Sequence, residues 1–316
     1  LRGLRPAPLQ LAALVGRASE LERFRQLLAD CRASGCGRAI HVRGEAGIGK
    51  TRLLEEFRAE AGRAGFVCHI GLMLDFGAGT GRGGVSALVR AMLGLSVASD
   101  PDDAMGATAR GLEVGLFDPD DVVFLNDLLD LPQPLALRGL YDAMEPATRD
   151  AGRHRVMARL VARTSRHRPL VLMVEDLHWA EPVTVAQVAS LAQCVRECPA
   201  LLITTSRPEG DPVAGERWAG HAADDALLVL ELAPLDVEAA RALAATLLAA
   251  RPSVAEHCVE RAAGNPLFLE QLLRHAEEST EGGVPGSVQS LVQARLDHLD
   301  TSDKTALQAA SVLGQR

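Results

Sequence analysis

Gly44-Glu45-Ala46-Gly47-Ile48-Gly49-Lys50-Thr51 is the stretch whose reading decides the fold. It satisfies G-x-x-x-x-G-K-T, the spacing at which a glycine-rich turn, a lysine and a hydroxyl converge on phosphate groups. Ile40-His41-Val42-Arg43 precedes it as a short strand, and Arg52-Leu53-Leu54-Glu55-Glu56-Phe57 follows at helical spacing. That strand-turn-helix context is what the motif requires. Its glycines let backbone N–H groups curl around phosphate oxygens, and the helix N-terminus adds the positive end of its dipole. The chain holds 31 arginines but only two lysines, Lys50 and Lys304, so a lysine here runs against the composition. A compact ammonium reaches β- and γ-phosphates where a wide planar guanidinium substitutes poorly. Thr51 supplies a hydroxyl for Mg²⁺. The stretch predicts nucleoside triphosphate binding through Glu45, Ala46, Gly47, Ile48, Gly49, Lys50, Thr51 and Arg52.

Composition bounds the remainder. At 316 residues and 47% hydrophobic content the chain can build two or three domains with real cores. Its formal charge of −8 argues against a direct grip on nucleic acid. No apolar run approaches the ~18 residues of a membrane span. The opening Leu1-Arg2-Gly3-Leu4-Arg5-Pro6 lacks Met and a signal-peptide core, which predicts a piece of a longer protein. Six cysteines form no C-x-x-C pair. They read as reduced, partly buried thiols of a cytoplasmic protein, including Cys194 and Cys198, which share a helix face without metal-ligand partners.

Along the chain, residues 1–13 read as a linker, and Ser19 to Cys31 as a helix capped by Ser19, with Leu21, Phe24, Leu27 and Leu28 at helical spacing. Phe66–Leu74 is strand-like and ends in a glycine-rich turn. Residues 84–168 are mostly helical, interrupted at Pro101, Pro119, Pro132, Pro134 and Pro146. Leu170–Val174 has the continuous apolar character of a central parallel strand. Further strands are expected at Ala200–Thr205 and Ala226–Leu232, and helices from Asp236 onward, with breaks at Gly264-Asn265-Pro266 and Glu281–Pro285. Strands alternating with helices, then helices alone, predict an α/β parallel sheet covered by helices and followed by a helical appendage.

Two further stretches carry chemistry. Val174-Glu175-Asp176 ends a buried strand in paired carboxylates, suited to a Mg²⁺ shell beside Thr51 and to deprotonating the attacking water. The residues leave open which acid faces the metal; Glu175 is assigned to the metal shell and Asp176 to the base. Leu201–Pro208 is an apolar strand ending in hydroxyls and Arg207, placed to sense a γ-phosphate.

These motifs now join others in a fixed order. Leu14-Val15-Gly16-Arg17 with Glu20-Leu21, the phosphate loop, Glu175-Asp176-Leu177-His178-Trp179-Ala180-Glu181-Pro182, Thr204–Pro208, Gly264-Asn265-Pro266-Leu267-Phe268-Leu269 and Val284-Pro285…Leu291-Val292-Gln293-Ala294-Arg295-Leu296 follow one another. The series resembles the STAND class of AAA-related signalling ATPases, in the bacterial branch found ahead of LuxR-type DNA-binding domains, nucleotide cyclase domains and TPR arrays. The resemblance spans residues 14–316. It implies a P-loop nucleotide-binding domain over 14–235, a helical lid over 236–283 and the start of a winged helix over 284–316. It implies that Val15, Gly16 and Arg17 lie against adenine and ribose, and that Pro266 closes over the nucleotide. It also implies ATP or ADP with Mg²⁺ as ligand, slow regulatory hydrolysis, nucleotide-dependent self-association, and downstream TPR-like or effector domains as partners.

Two other functions compete. A DNA-binding regulator with an incidental ATP site would need a recognition helix that the sequence does not display. Leu72-Met73-Leu74-Asp75-Phe76-Gly77-Ala78-Gly79-Thr80-Gly81 matches the strand and turn by which methyltransferases hold S-adenosylmethionine, with Asp100, Asp102 and Asp103 downstream. Its position directly after the phosphate-loop helix makes it the next strand of the same sheet rather than the founding strand of a separate fold. His178-Trp179 is expected to pack beside the acidic strand end.

Overall fold

The structure, a computed structural model, describes residues 14–72, 83–96, 99–215, 218, 227–248 and 251–278. Among these lie two compact units: one of residues 14–20, 45–56, 232–248 and 251–278, the other of 21–44, 57–72, 83–96, 99–215, 218 and 227–231.

The larger unit is built on five parallel strands: β1 (Ala39–Arg43), β2 (Val67–Leu72), β3 (Leu170–Glu175), β4 (Ala200–Ser206) and β5 (Leu227–Glu231), in the spatial order β2-β3-β4-β1-β5. The strand leading into the phosphate loop is therefore central. β4 lies between it and β3, with Ile40 opposite Ile203 and Met173 opposite the same residue. The central strands are apolar on both faces because helices cover both. Leu170, Leu172, Val174, Ala200 and Leu202 join one core with side chains of α3 (Gly83–Met92), α5 (Val122–Leu128), α7 (Pro146–Ser165) and α8 (Pro182–Cys194). Val171, Met173, Leu201 and Ile203 alternate to the opposite face and are equally buried. Phe24 and Phe57 stack with ring centroids 4.2 Å apart. They belong to α1 (Ala18–Ser34) and α2 (Lys50–Arg63).

The helical stretch between β2 and β3 uses its prolines as starts. Pro101 opens α4 (Pro101–Glu113), Pro119 opens a short 3₁₀ turn, and Pro146 opens α7. A residue with a fixed φ and no N–H costs least in a first helical turn. Pro134 precedes α6 (Leu135–Ala143). An ion-pair network ties this region together: Asp121 is buried and meets Arg155 and Arg159, and Asp118 meets Arg159 and Arg163.

The smaller unit has its own apolar core, from Leu235, Leu243, Leu269, Leu272 and Leu273 with Val15 packed against it. Its helices after the sheet are α9 (Val237–Leu247), α10 (Pro252–Ala262) and α11 (Pro266–Glu278).

Several expectations shift. β2 starts at Val67, one residue after the expected Phe66, and β5 ends at Glu231, one residue before the expected Leu232; the far ends of both runs, residues 73–74 and 226, lie outside the described residues. Ser19 is not the cap of α1. The helix already includes Ala18, and the Ser19 hydroxyl donates to the Glu20 carboxylate at 2.6 Å instead of accepting from backbone. The linker over 1–13, the turn Asp75–Gly81 and the winged helix over 284–316 lie outside the described residues. β2 itself pairs along β3, so residues 67–72 belong to the common sheet and not to a second nucleotide fold.

Candidate nucleotide-binding site

The phosphate loop, residues 44–49, connects β1 to the first residue of α2, Lys50. Gly47 has φ 76° and Gly49 φ 100°, conformations that side chains with a Cβ rarely take. A Cβ on Gly47 would also stand 2.9 Å from Asn265 Oδ1 and 3.0 Å from Leu267 Cβ. Glycine is required there for backbone shape and for space.

Four successive carbonyls of this loop accept hydrogen bonds. Lys50 Nζ donates to Glu45 O at 2.9 Å, Asn265 Nδ2 to Ala46 O at 2.9 Å, Leu267 N to Gly47 O at 3.2 Å, and Arg17 Nη2 to Ile48 O at 3.3 Å. A trans peptide points its C=O and the next N–H in opposite directions. With the Ala46 carbonyl turned to Asn265 and the Ile48 carbonyl to Arg17, the N–H groups of Gly47 and Gly49 point away from those partners and are available to an anion, whereas Ile48 N–H donates within the loop to Glu45 O at 3.3 Å. Lys50 is 8% exposed and its ammonium lies along its own loop, within reach of whatever the loop encloses. Arg52 pairs with Glu55 and Glu56 along α2.

The flanking residues of this unit are mostly held by backbone. Arg17 is buried; it also donates to Ala233 O at 2.7 Å and pairs with Glu20 at 3.3 Å. Gly16, at φ 66°, lies against Ala239 and Leu235. Asn265 has a double task, since its Oδ1 accepts from Phe268 N at 3.1 Å and caps α11. The Pro266 ring comes to 3.9 Å from where a Gly49 Cβ would stand. Sequence reading singled out Pro266 and passed over Asn265, although an Asn before a helix-opening Pro is itself a capping signal.

In the sheet unit, β3 delivers Glu175 and the chain turns at once. Asp176 takes φ 57°, ψ 44°, the left-handed region that Asp tolerates better than most residues. Its N–H donates to Thr205 Oγ1 at 2.9 Å, which ties the end of β3 to β4. The next residues form a 3₁₀ turn, Leu177–Trp179, with Trp179 N donating to Asp176 O at 2.9 Å. The His178 side chain is buried, with Nδ1 3.9 Å from Asp176 Oδ1 and its ring 4.8 Å from that of Trp179. Arg207, one residue beyond β4, places its guanidinium carbon 5.5 Å from the Trp179 ring centroid. Glu175, Asp176, Trp179 and Arg207 thus gather at adjacent strand ends.

A buried polar cluster joins β1 to β4 and Asp211, which sequence reading missed. His41 of β1 is 0% exposed. Its Nδ1 is 2.7 Å from Thr204 Oγ1, and its Nε2 is 3.0 Å from Ser206 Oγ and 3.1 Å from Asp211 Oδ1. Arg43 reaches Asp211 at 3.6 Å and pairs with Glu231. Serine and aspartate share one ring nitrogen, so this is not a nucleophile-base-acid relay, in which they would occupy opposite nitrogens. Burial works against the Asp211 carboxylate, but His41, Val213 N–H and Ser206 outweigh it and hold its pKa below the ordinary Asp value.

Among the described residues, no group of three or more His, Cys, Asp or Glu is placed to hold a metal ion. The donors proposed from sequence, the Thr51 hydroxyl and the carboxylates of Glu175 and Asp176, are hard oxygens. They suit Mg²⁺, which takes few protein ligands and completes its shell with phosphate and water.

The family model described as "AAA ATPase domain" matches residues 13–203, well over half of the chain. The chain belongs to the AAA ATPase domain family. The AAA domain is 29% identical to an uncharacterized protein of Rhizobium meliloti (strain 1021) over 95% of this chain and 30% of that protein. It therefore spans less than a third of the curated relative that it matches. Among solved structures, Aeropyrum pernix ORC1 in complex with DNA is similar at TM-score 0.52 and 18% identity, over 97% of this chain and 75% of that one. A Pyrococcus horikoshii STAND protein with a tetratricopeptide repeat sensor is similar at TM-score 0.50 and 18% identity, over 97% and 36% respectively. At such identities the likeness is one of fold. Among the described residues, no helix of the AAA domain is long and apolar enough to cross a membrane.

Proposed function

We propose that this AAA domain is the nucleotide switch of a larger, cytoplasmic, STAND-type regulatory protein. It binds Mg²⁺·ATP, hydrolyses it slowly, and passes the state of the nucleotide to neighbouring domains and to further copies of itself. One observation supports this reading: α11 holds the phosphate loop at two successive carbonyls, Ala46 O through Asn265 and Gly47 O through Leu267, and the first belongs to the peptide whose Gly47 N–H would face phosphate. Any rearrangement of those peptides around a departing γ-phosphate pulls on the helix. Lys50 and the loop N–H groups bind the phosphates, Thr51 and Glu175 hold Mg²⁺, and Asp176 takes the proton of the attacking water. Arg207 contacts the γ-phosphate, while Val15, Gly16, Arg17 and Pro266 enclose the nucleoside. In domain terms, 14–235 bind the nucleotide, 236–283 form the lid and 284–316 begin a winged helix. Moving such a switch from 1:99 to 99:1 takes about 5.5 kcal/mol of differential binding. A net charge of −8 weighs against direct binding to duplex DNA, which depends on clustered cations.

The test is amide hydrogen exchange over residues 266–278 with Mg²⁺ and either a non-hydrolysable ATP analogue or ADP. The first turn of α11 is expected to differ in protection between the two. Equal protection would sink the switch while leaving an ordinary ATPase.

A further inference from the structure

Trp179 breaks the rule by which this chain treats its largest apolar side chains. Of its two tryptophans, Trp218 is 2% exposed within the sheet unit's core, whereas Trp179 is 42% exposed. Leu177, two residues earlier in the same turn, is fully buried. The exposed ring nevertheless has a fixed seat. The backbone N–H of Trp179 donates to Asp176 O, the turn is pinned to β4 by the bond from Asp176 N to Thr205 Oγ1, and the buried His178 ring lies against the indole. Arg207 stands two residues after Thr205, so ring and guanidinium project from strand ends already fastened to each other.

Among the described residues, Arg207 has no carboxylate within ion-pair distance; its cation meets the Trp179 ring at 5.5 Å. The difference is chemical. A carboxylate would occupy the in-plane N–H donors of the guanidinium and neutralise its charge. A ring under a guanidinium engages the π-face, restricts the side chain's rotamers and leaves charge and donors for an incoming anion. From this geometry we infer that Trp179 is a positioning residue, which presents Arg207 to the terminal phosphate of ATP and remains in contact with it once the phosphate binds. The inference rests on the proposed role of Arg207 as γ-phosphate contact. It gives Trp179 a task specific to ATP, since ADP offers that arginine nothing to bind.

The experiment titrates the full chain and its variants with a non-hydrolysable ATP analogue and with ADP. Trp179→Ala is expected to weaken analogue binding by about 2- to 5-fold, the range of an exposed cation–π contact, while ADP binding stays level. Trp179→Phe, which keeps a π-face, is expected to restore most of the loss. Tryptophan emission gives an independent readout: the parent signal minus that of Trp179→Phe isolates Trp179 without disturbing the buried Trp218. This difference signal is expected to change with the ATP analogue and not with ADP, and to stop responding in Arg207→Ala. If Arg207→Ala selectively loses the ATP analogue but Trp179→Ala does not, the positioning role falls and the sensor survives. If Arg207→Ala loses both ligands equally, the sensor reading itself falls. A loss in Trp179→Ala that phenylalanine does not restore, with a lowered melting temperature, would make Trp179 a packing residue and also overturn the inference.

Discussion

Lys50 and the two acids after Val174 carry the sharpest residue-scale expectations. Lys50 aims its ammonium along the phosphate loop and fills no part of the apolar core. Lys50→Ala should therefore abolish measurable ATP affinity in calorimetry while leaving the melting temperature close to that of the parent. An affinity within about threefold of the parent would mean that the loop does not hold phosphate. Asp176→Asn preserves a residue type that tolerates the left-handed backbone. It should keep Mg²⁺·ATP binding and slow single-turnover hydrolysis by ~10²-fold or more, the usual weight of a positioned base. Glu175→Gln should instead weaken the Mg²⁺ dependence of binding. The opposite pattern would exchange the two roles.

At the scale of elements, Asn265 separates two functions that alanine alone would confuse. Asn265→Ala removes both the cap of α11 and the bond to Ala46 O, and should cost about 1 kcal/mol of stability. Asn265→Asp keeps an acceptor for Phe268 N–H but has no donor for Ala46 O. It should hold near-parental stability in chemical denaturation and still lose nucleotide affinity. Parental affinity in the Asp variant would show that the α11 contact does not shape the phosphate loop. Much of this level was legible beforehand. The apolar runs located β3 and β4, and G-x-x-x-x-G-K-T announced the β1-loop-α2 unit, because local composition determines both. The order of strands was not legible, since nothing in a run such as Leu201-Leu202-Ile203 says that it lies between β1 and β3. His41 was hidden for a related reason. Ala39-Ile40-His41-Val42-Arg43 looks like a strand with one polar face toward water. The partners that let its histidine be buried stand about 160 residues away in sequence.

For the molecule as a whole, the same cluster sets an acid limit on stability. The folded pKa of Asp211 lies below its unfolded value, near 3.9. Its contribution is thus fully present above about pH 4 and fades as pH falls through the folded value. Asp211→Asn should be less stable than the parent by about 1–3 kcal/mol at pH 7, as expected for disrupting a buried hydrogen-bonded network. The gap should narrow in denaturant titrations below pH 4; a gap unchanged with pH would mean that the carboxylate's charge does not matter to the fold. The left-handed turn at Asp176 has a consequence of a different kind. Its backbone would be most at ease with glycine, and any residue bearing a Cβ gives up on the order of 1 kcal/mol there. Random mutagenesis screened for thermal tolerance alone should therefore drift toward glycine at this position and away from turnover. With Asp176 as the proposed base, heat resistance and catalytic competence would be opposed within a single codon.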